Sequence, residues 1–190
     1  MATAALKEWA VTCAALASGE QVVIVRKGGI GEKRFELPHP AFFLFPTYAH
    51  QRPELVRPDA AARYADALNR REDPAQLPLA LWAELRDAYP IRDPEALDAI
   101  GDLQILTGAY ANERLRWRRT QPLWAVVLRV AHVSAPPVLR VGPEHGGCVS
   151  WVELPAEIAL GAHVPVLDDA AFAAAADAVA SALAPFALTA

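Results

Sequence analysis

The chain has 190 residues, enough for one well-buried core and too few for two ordinary domains. Hydrophobic residues make up 54% and charged residues 21%, which excludes a disordered chain, and no run approaches the roughly 20 uninterrupted apolar residues that a membrane span needs. A net charge of −4 excludes a uniformly cationic nucleic-acid binder, but residues 1–71 carry +3, 72–113 carry −7, 114–140 carry +6 and 141–190 carry −6. Two basic tracts therefore alternate with two acidic ones. Folding either pools the basic tracts into one patch or neutralises them against the acidic ones. The opening MATAALKEWA lacks the regions of a signal peptide, and Cys13 and Cys148 are too few for a disulfide framework, so a cytoplasmic chain is expected.

Leu6, Trp9, Cys13 and Leu16 recur at helical spacing, which predicts a first helix that Thr3 caps and Gly19 stops. The β-branched run Gln21 to Lys27 predicts a buried strand. A glycine turn follows, then a short strand near Arg34 to Leu37 and another near Phe42 to Phe45 that ends at Pro46. Alternation places Phe43 and Phe45 opposite Phe42 and Leu44. From Arg57 to about Ile100 the pattern reads as a helical insertion: one helix from Pro58-Asp59, one from Pro78 carrying Leu81, Trp82, Leu85 and Tyr89, and a short one from Asp93-Pro94. A helix from Thr107 to about Trp117 precedes a long central strand, Leu123 to Val133. Shorter strands are expected over Val138 to Val141 and Cys148 to Leu154. The last helix starts at Asp168-Asp169, buries Phe172, Ala176, Val179 and Leu183, and ends at Pro185. The expected fold is a single α+β domain over 1–190. A small, curved, mostly antiparallel sheet or barrel packs against the terminal helices, with 57–100 inserted.

Chemistry concentrates between Arg26 and Gln51. The turn RKGGIGEKR holds two of the three lysines in the chain. Arg26, Lys27, Lys33 and Arg34 supply charge, and Gly28 and Gly29 free backbone N–H groups to wrap an anion, so phosphate is the natural partner. Neither the P-loop order nor the dinucleotide fingerprint is present. Just beyond, Tyr48 can stack on a base, and His50 and Gln51 can hydrogen-bond its edge. A second basic patch, Arg114, Arg116, Arg118 and Arg119 around Trp117, suits phosphate contact and cation–π stacking. The competing readings are a solvated hairpin tip and ordinary helix-end arginines. His145 and Cys148 form the one close His/Cys pair, and a zinc site normally shows two such pairs, so no metal and no cofactor are expected.

The segments KEWAVTCAALASGEQVVIVRKGGI, FFLFPTYAHQ, LRVAHVSAPP and GCVSWVEL resemble the bacterial domain-of-unknown-function 1802 family over nearly the whole chain, a resemblance that implies no activity. A second likeness is to the activating-signal-cointegrator-homology (ASCH) domains of the PUA barrel class, whose first helix and strand read G-x-K-x-x-E-x-R. Gly19 and Arg26 match the ends of that pattern, while Gln21 and Ile24 stand where lysine and glutamate would. That resemblance implies a small β-barrel that binds RNA or nucleobases, and the two departures put amidohydrolase-like chemistry in doubt. The expected function is non-catalytic binding of RNA, DNA or a nucleotide. A metal-dependent nuclease is the enzymatic alternative. The acid-x-Lys signature fails at all three lysines, leaving Asp102-Leu103-Gln104 with Glu84 or Asp87. A protein-interaction module using the acidic helices is the third class, and the oligomeric state is left open.

Overall fold

The computed structural model describes residues 4–27, 36–116, 122–147 and 149–186. In chain order its elements are β1 (Ala4–Trp9), α1 (Ala10–Ser18), β2 (Val23–Arg26), β3 (Ala41–Thr47), α2 (Pro58–Arg63), α3 (Ala65–Asn69), β4 (Gln76–Pro78), β5 (Leu81–Ile91), α4 (Pro94–Ala99), α5 (Gly108–Arg116), β6 (Leu123–Val133), β7 (Val138–Arg140), β8 (Trp151–Glu153), β9 (His163–Pro165) and α6 (Asp169–Leu183). The main sheet runs β2-β6-β5-β3-β1-β8, with β9 also on β6, while β4 and β7 form a separate pair. Only β1 and β3 are parallel among the described pairings. The result is an α+β fold with a mixed, mostly antiparallel sheet.

The sheet is open, yet strongly curled. Four strand steps separate β2 from β1, which would span about 19 Å if the sheet were flat. Instead the Arg26 guanidinium at the end of β2 lies 3.1 Å from the Glu8 carboxylate on β1 and 3.0 Å from the Ser150 hydroxyl beside β8. One face of the curl carries Leu6, Ile24, Phe42, Leu44, Val126 and Leu128 against Cys13 and Leu16 of α1. The opposite face is buried as well. Phe43, Phe45 and Val152 pack under the β4–β7 pair, and Val23, Val25, Ala125 and Val127 pack against α4 and α6.

Two elements depart from the sequence expectation. Residues 4–9 form a strand, and the helix starts at Ala10. Pairing with β3 and β8 on both sides outweighs the helical spacing of Leu6 and Trp9, because each residue of β1 gains ladder bonds. The helix expected from Pro78 is the strand β5, eleven residues long, lying between β3 and β6. Leu81, Ala83 and Leu85 alternate onto one core face, and a register shift between Leu85 and Asp87 breaks that alternation, leaving a spacing that mimics a helix. The helices between 57 and 100 are thus α2, α3 and α4, while 76–91 belongs to the sheets. The strand expected near Arg34 lies partly outside the described residues, and Glu36 and Leu37 are irregular.

The other helices follow their signals. Gly19 ends α1 at φ 76°, and the N–H of Glu20 returns to the Ala15 carbonyl at 3.1 Å, a C-terminal cap that needs the left-handed conformation. A Cβ there would also lie 2.6 Å from Leu167. The Asp168 carboxylate caps α6 by accepting the Ala171 N–H at 2.7 Å, and Phe172, Ala176, Val179 and Leu183 are its buried stripe, as expected. By length and composition 169–186 would span a bilayer, but this stripe is committed to the core.

At the end of α1, Glu20 joins three partners. Its carboxylate accepts from the Tyr64 hydroxyl at 2.5 Å, pairs with Arg63 and lies 3.7 Å from Arg57. Burial works to raise the Glu20 carboxyl, but the hydrogen bonds and charges of Arg63, Tyr64 and Arg57 outweigh it and hold its pKa below the usual glutamate value. A depressed folded pKa stabilises the protein above the unfolded value of about 4.3, and the contribution is lost as pH falls through the folded pKa. Glu20→Gln should therefore flatten the acid limb of a stability–pH curve while changing little in its slope at neutral pH. An acid limb as steep as in the wild type would disprove this linkage.

Candidate functional site

The C-terminal ends of β1, β2 and β3 open into a cleft of about 340 Å³, with the 141–150 segment as the facing wall. Strand alternation supplies its chemistry. Glu8 continues the inward row of Leu6, and Arg26 continues that of Ile24, so both charges arrive at the mouth of the curled sheet. Glu8 is 5% exposed, and one carboxylate oxygen accepts the Trp9 N–H at 2.7 Å while the other meets Arg26. Arg26 in turn donates to Ser150, which is 1% exposed. A hydrogen-bonded acid–base pair thus crosses the gap between the two edges of the sheet.

Lys7, on the opposite face of β1, fixes the far wall. Its ammonium donates to the carbonyls of His145, Gly146 at 3.2 Å and Gly147 at 3.2 Å, and lies 5.6 Å from the centre of the Phe45 ring. Three carbonyls match the three protons of an ammonium, so this lysine is an anchor for the turn. His145 is buried and accepts the Gly142 N–H on Nδ1 at 2.9 Å, which places its own proton on Nε2. Trp9 and Tyr110, with ring centres 5.1 Å apart, form an aromatic wall, and Thr47, His50 and Asp73 form the rim.

The residues singled out from the sequence fall in several places. Arg26, Lys27 and His50 line the cleft. Lys27 is 2% exposed, its ammonium donates to the Leu115 carbonyl at 2.9 Å, and burial lowers its pKa. It therefore acts inside the protein, as a donor to the end of α5, where a cation also opposes the helix dipole. Gly28, Gly29, Lys33 and Arg34 lie outside the described residues, as do Arg118, Arg119 and Cys148, and the Arg114 side chain is likewise not described. Arg116 is exposed. The Lys27–Leu115 bond nevertheless joins the residue that enters the glycine turn to the helix end that enters the second basic tract. The described residues that precede 28–35 and 117–121 in sequence are thus held together beside the cleft, which Lys27 lines.

Tyr48 is half-buried, its N–H donates to Asp73 at 2.7 Å and the Arg70 guanidinium carbon sits 4.6 Å from its ring centre. Its stacking partner is this arginine, and Tyr48 is not among the lining residues. Gln51 is 4% exposed with both amide ends engaged. The oxygen accepts the Val11 N–H and the nitrogen donates to the Ala67 carbonyl, each at 2.8 Å, so this side chain cross-links α1 to α3. Elsewhere the charged tracts partly neutralise one another, as Arg52 with Glu113 at 2.8 Å and Arg57 with Asp102 at 3.9 Å. Asp102, whose side chain is fully exposed, does not line the cleft between β5 and α6 that Glu84 and Asp87 line. Among the described residues no three potential ligands form a metal-binding group. Burial raises the pKa of the Cys13 thiol well above the usual value, against a role as nucleophile.

The site residues that sequence reasoning missed are Lys7, Glu8, Trp9, Thr47, Asp73, Tyr110 and Ser150. The available signal was Lys7-Glu8 inside an otherwise apolar opening, which strand alternation would have turned inward.

Comparison with known proteins gives one family and one set of solved structures. A family model described as "Domain of unknown function (DUF1802)" matches residues 5–178. Three crystal structures are similar to this chain. One is ASCH from Zymomonas mobilis, at 15% identity over 82% of this chain and 89% of that one, with a TM-score of 0.46. The others are two single-residue mutants of that same protein, one of them at 17% identity over 83% of this chain and 93% of that one, with a TM-score of 0.45. Similarity at this level assigns no residue role. No curated protein matches.

Proposed function

The chain belongs to the DUF1802 family, which assigns no activity, and from the geometry of the cleft we propose that it binds nucleotides without catalysis, one nucleotide unit of an RNA or DNA strand resting between β1, β2 and the facing wall. The observation that carries this reading is the combination, in one cleft, of an aromatic wall, Trp9 and Tyr110, with the polar cluster Glu8–Arg26–Ser150. Its volume of about 340 Å³ falls within the range of small-ligand sites, about 300–1,000 Å³. A base stacks on an aromatic face whatever its sequence, and fixed polar groups at the closed end orient its edge. Lys33, Arg34, Arg118 and Arg119 follow Lys27 and α5 closely in sequence and would supply cations for the backbone phosphates. Whatever the base, the Glu8–Arg26 bridge also holds the sheet edges at the spacing that keeps the cleft open.

Binding is measured by fluorescence polarisation with labelled eight-nucleotide single strands of RNA and DNA, and by calorimetry with AMP and UMP. Trp9→Ala should weaken binding about tenfold or more, since base–aromatic stacking contributes roughly 1–3 kcal/mol. Arg86→Ala, on β5 and outside the cleft, should have no effect. A folded Trp9→Ala protein that binds as well as the wild type, or a wild type that binds none of these ligands at millimolar concentration, rules the reading out.

A further inference from the structure

A second site lies behind the 142–147 turn, on the side away from the polar cluster. A groove of about 810 Å³ runs between β7 and the segment from β8 to Ile158. One wall is the edge of β7, and the other begins at Glu153, the last residue of β8. In the β4–β7 pair, the Val141 N–H donates to Ala75 and the Leu79 N–H to Pro137, so Leu139 and Leu77 also exchange bonds. An antiparallel ladder alternates, hence the N–H and C=O groups of Val138 and Arg140 point away from β4. The same reasoning holds at β8. The Lys7 N–H donates to Ser150, so Ser150 and Val152 face β1, and the backbone of Trp151 and Glu153 points outward. Among the described residues β8 ends the main sheet and β7 ends the small one, so neither outward edge has a strand partner.

We propose that this groove binds an extended, basic peptide segment of a partner protein by strand addition, the peptide pairing with the outward edge of β7. Two features select that occupant. Backbone donors and acceptors in register along an edge recognise a strand and fit no other ligand class. The charged side chains bordering the groove are Glu144, Glu153 and Glu157 against Arg140 alone, so lysine or arginine at alternate peptide positions is favoured over aspartate or glutamate. Val138, half exposed, together with Leu154 and Ile158, supplies an apolar floor for the intervening side chains. The groove shares Val141, Gly142 and His145 with the nucleotide cleft, but the inference stands independently of what that cleft binds.

The probe is a capped hexapeptide alternating lysine and valine, titrated into the full chain by calorimetry and by backbone amide NMR. Three comparisons accompany it: the same peptide N-methylated at alternate residues, a glutamate–valine hexapeptide, and the protein variants Arg140→Pro and Arg140→Ala. Proline at 140 removes the outward N–H and the cation and leaves the β4 ladder intact, whereas alanine removes the cation and keeps that N–H. Binding of the basic peptide should fall about tenfold on N-methylation or on Arg140→Pro, the size of one or two lost backbone hydrogen bonds. It should be unchanged or stronger on Arg140→Ala, with amide shifts confined to 138–141 and 151–158. Equal binding of the N-methylated peptide, preference for the acidic peptide, or no binding of the basic one overturns the proposal. A concentration-dependent dimer dissolved by Arg140→Pro would do so too, by assigning the edge to a second copy of the chain.

Discussion

Replacing Glu8 by alanine should lower the unfolding free energy by about 3 kcal/mol, more than any other single change in the cleft, because it takes the Glu8 counter-charge away from a largely buried Arg26 guanidinium. The side chains are only 15% and 5% exposed, so water cannot replace the lost partner at full strength. Taking the low end of the usual 3–5 kcal/mol allows for the Ser150 hydroxyl, which still accepts a hydrogen bond from Arg26. Glu8→Gln retains an acceptor and should cost less. The double variant Glu8→Leu with Arg26→Leu removes both charges at once and should come close to wild-type stability, since apolar replacement of a buried pair is often neutral. Denaturant unfolding of the four proteins decides the matter. Should Glu8→Ala and the double variant be equally destabilised, the bridge between the sheet edges is packing alone, with no electrostatic part. Nucleotide binding separates the roles further, because the stable double variant has lost the polar end of the cleft and should bind poorly.

The Glu8–Arg26 pair also marks the limit of what the sequence makes legible. Each strand with a strong β-branched run, Val23–Arg26 and Leu123–Val133, is legible, as is α6 with its capping acid and four-residue stripe. The choice between two periods in short segments is not. Leu6 and Trp9 fit a helix by spacing, and only the neighbours β3 and β8, each more than thirty residues away in sequence, make the alternate reading correct. That one ambiguity hides the cleft. On a helix Lys7 and Glu8 would sit on a solvated face, whereas on β1 they point to opposite sides of the sheet and both are buried. Arg26 and Lys27 stand out from the sequence as cations at a strand end. Their division of labour, one bridging the sheet edges and the other bound to Leu115, follows from strand alternation plus partners that no local pattern contains. Gln51 illustrates the reverse case. A polar residue in a loop reads as available, but two backbone groups of α1 and α3 claim its amide, and an unmade buried bond would cost about 1–3 kcal/mol.

The burial of Lys27 changes what salt dependence should reveal about the basic tracts. Each phosphate neutralised on a single strand releases condensed counterions and adds about −0.7 to the log–log slope of affinity against salt. A cation already donating to a protein carbonyl releases none. Lys27→Ala should therefore leave the slope unchanged and act on stability, by about 1–2 kcal/mol, because the Leu115 carbonyl at the end of α5 loses its donor. Lys33, Arg34, Arg118 and Arg119 follow that contact in sequence, and replacing all four with alanine should reduce the slope by about 2.8. Between 50 and 200 mM salt such a slope corresponds to about a 50-fold change in affinity, so wild type and quadruple variant should differ widely at low salt and converge at high salt. Polarisation titrations with an eight-nucleotide strand at four salt concentrations measure it. If the slope falls instead with Lys27→Ala, the Lys27–Leu115 bond opens on binding and Lys27 itself contacts phosphate. If neither variant changes it, the tracts do not contact phosphate, and the cleft is a site for an uncharged base or nucleoside.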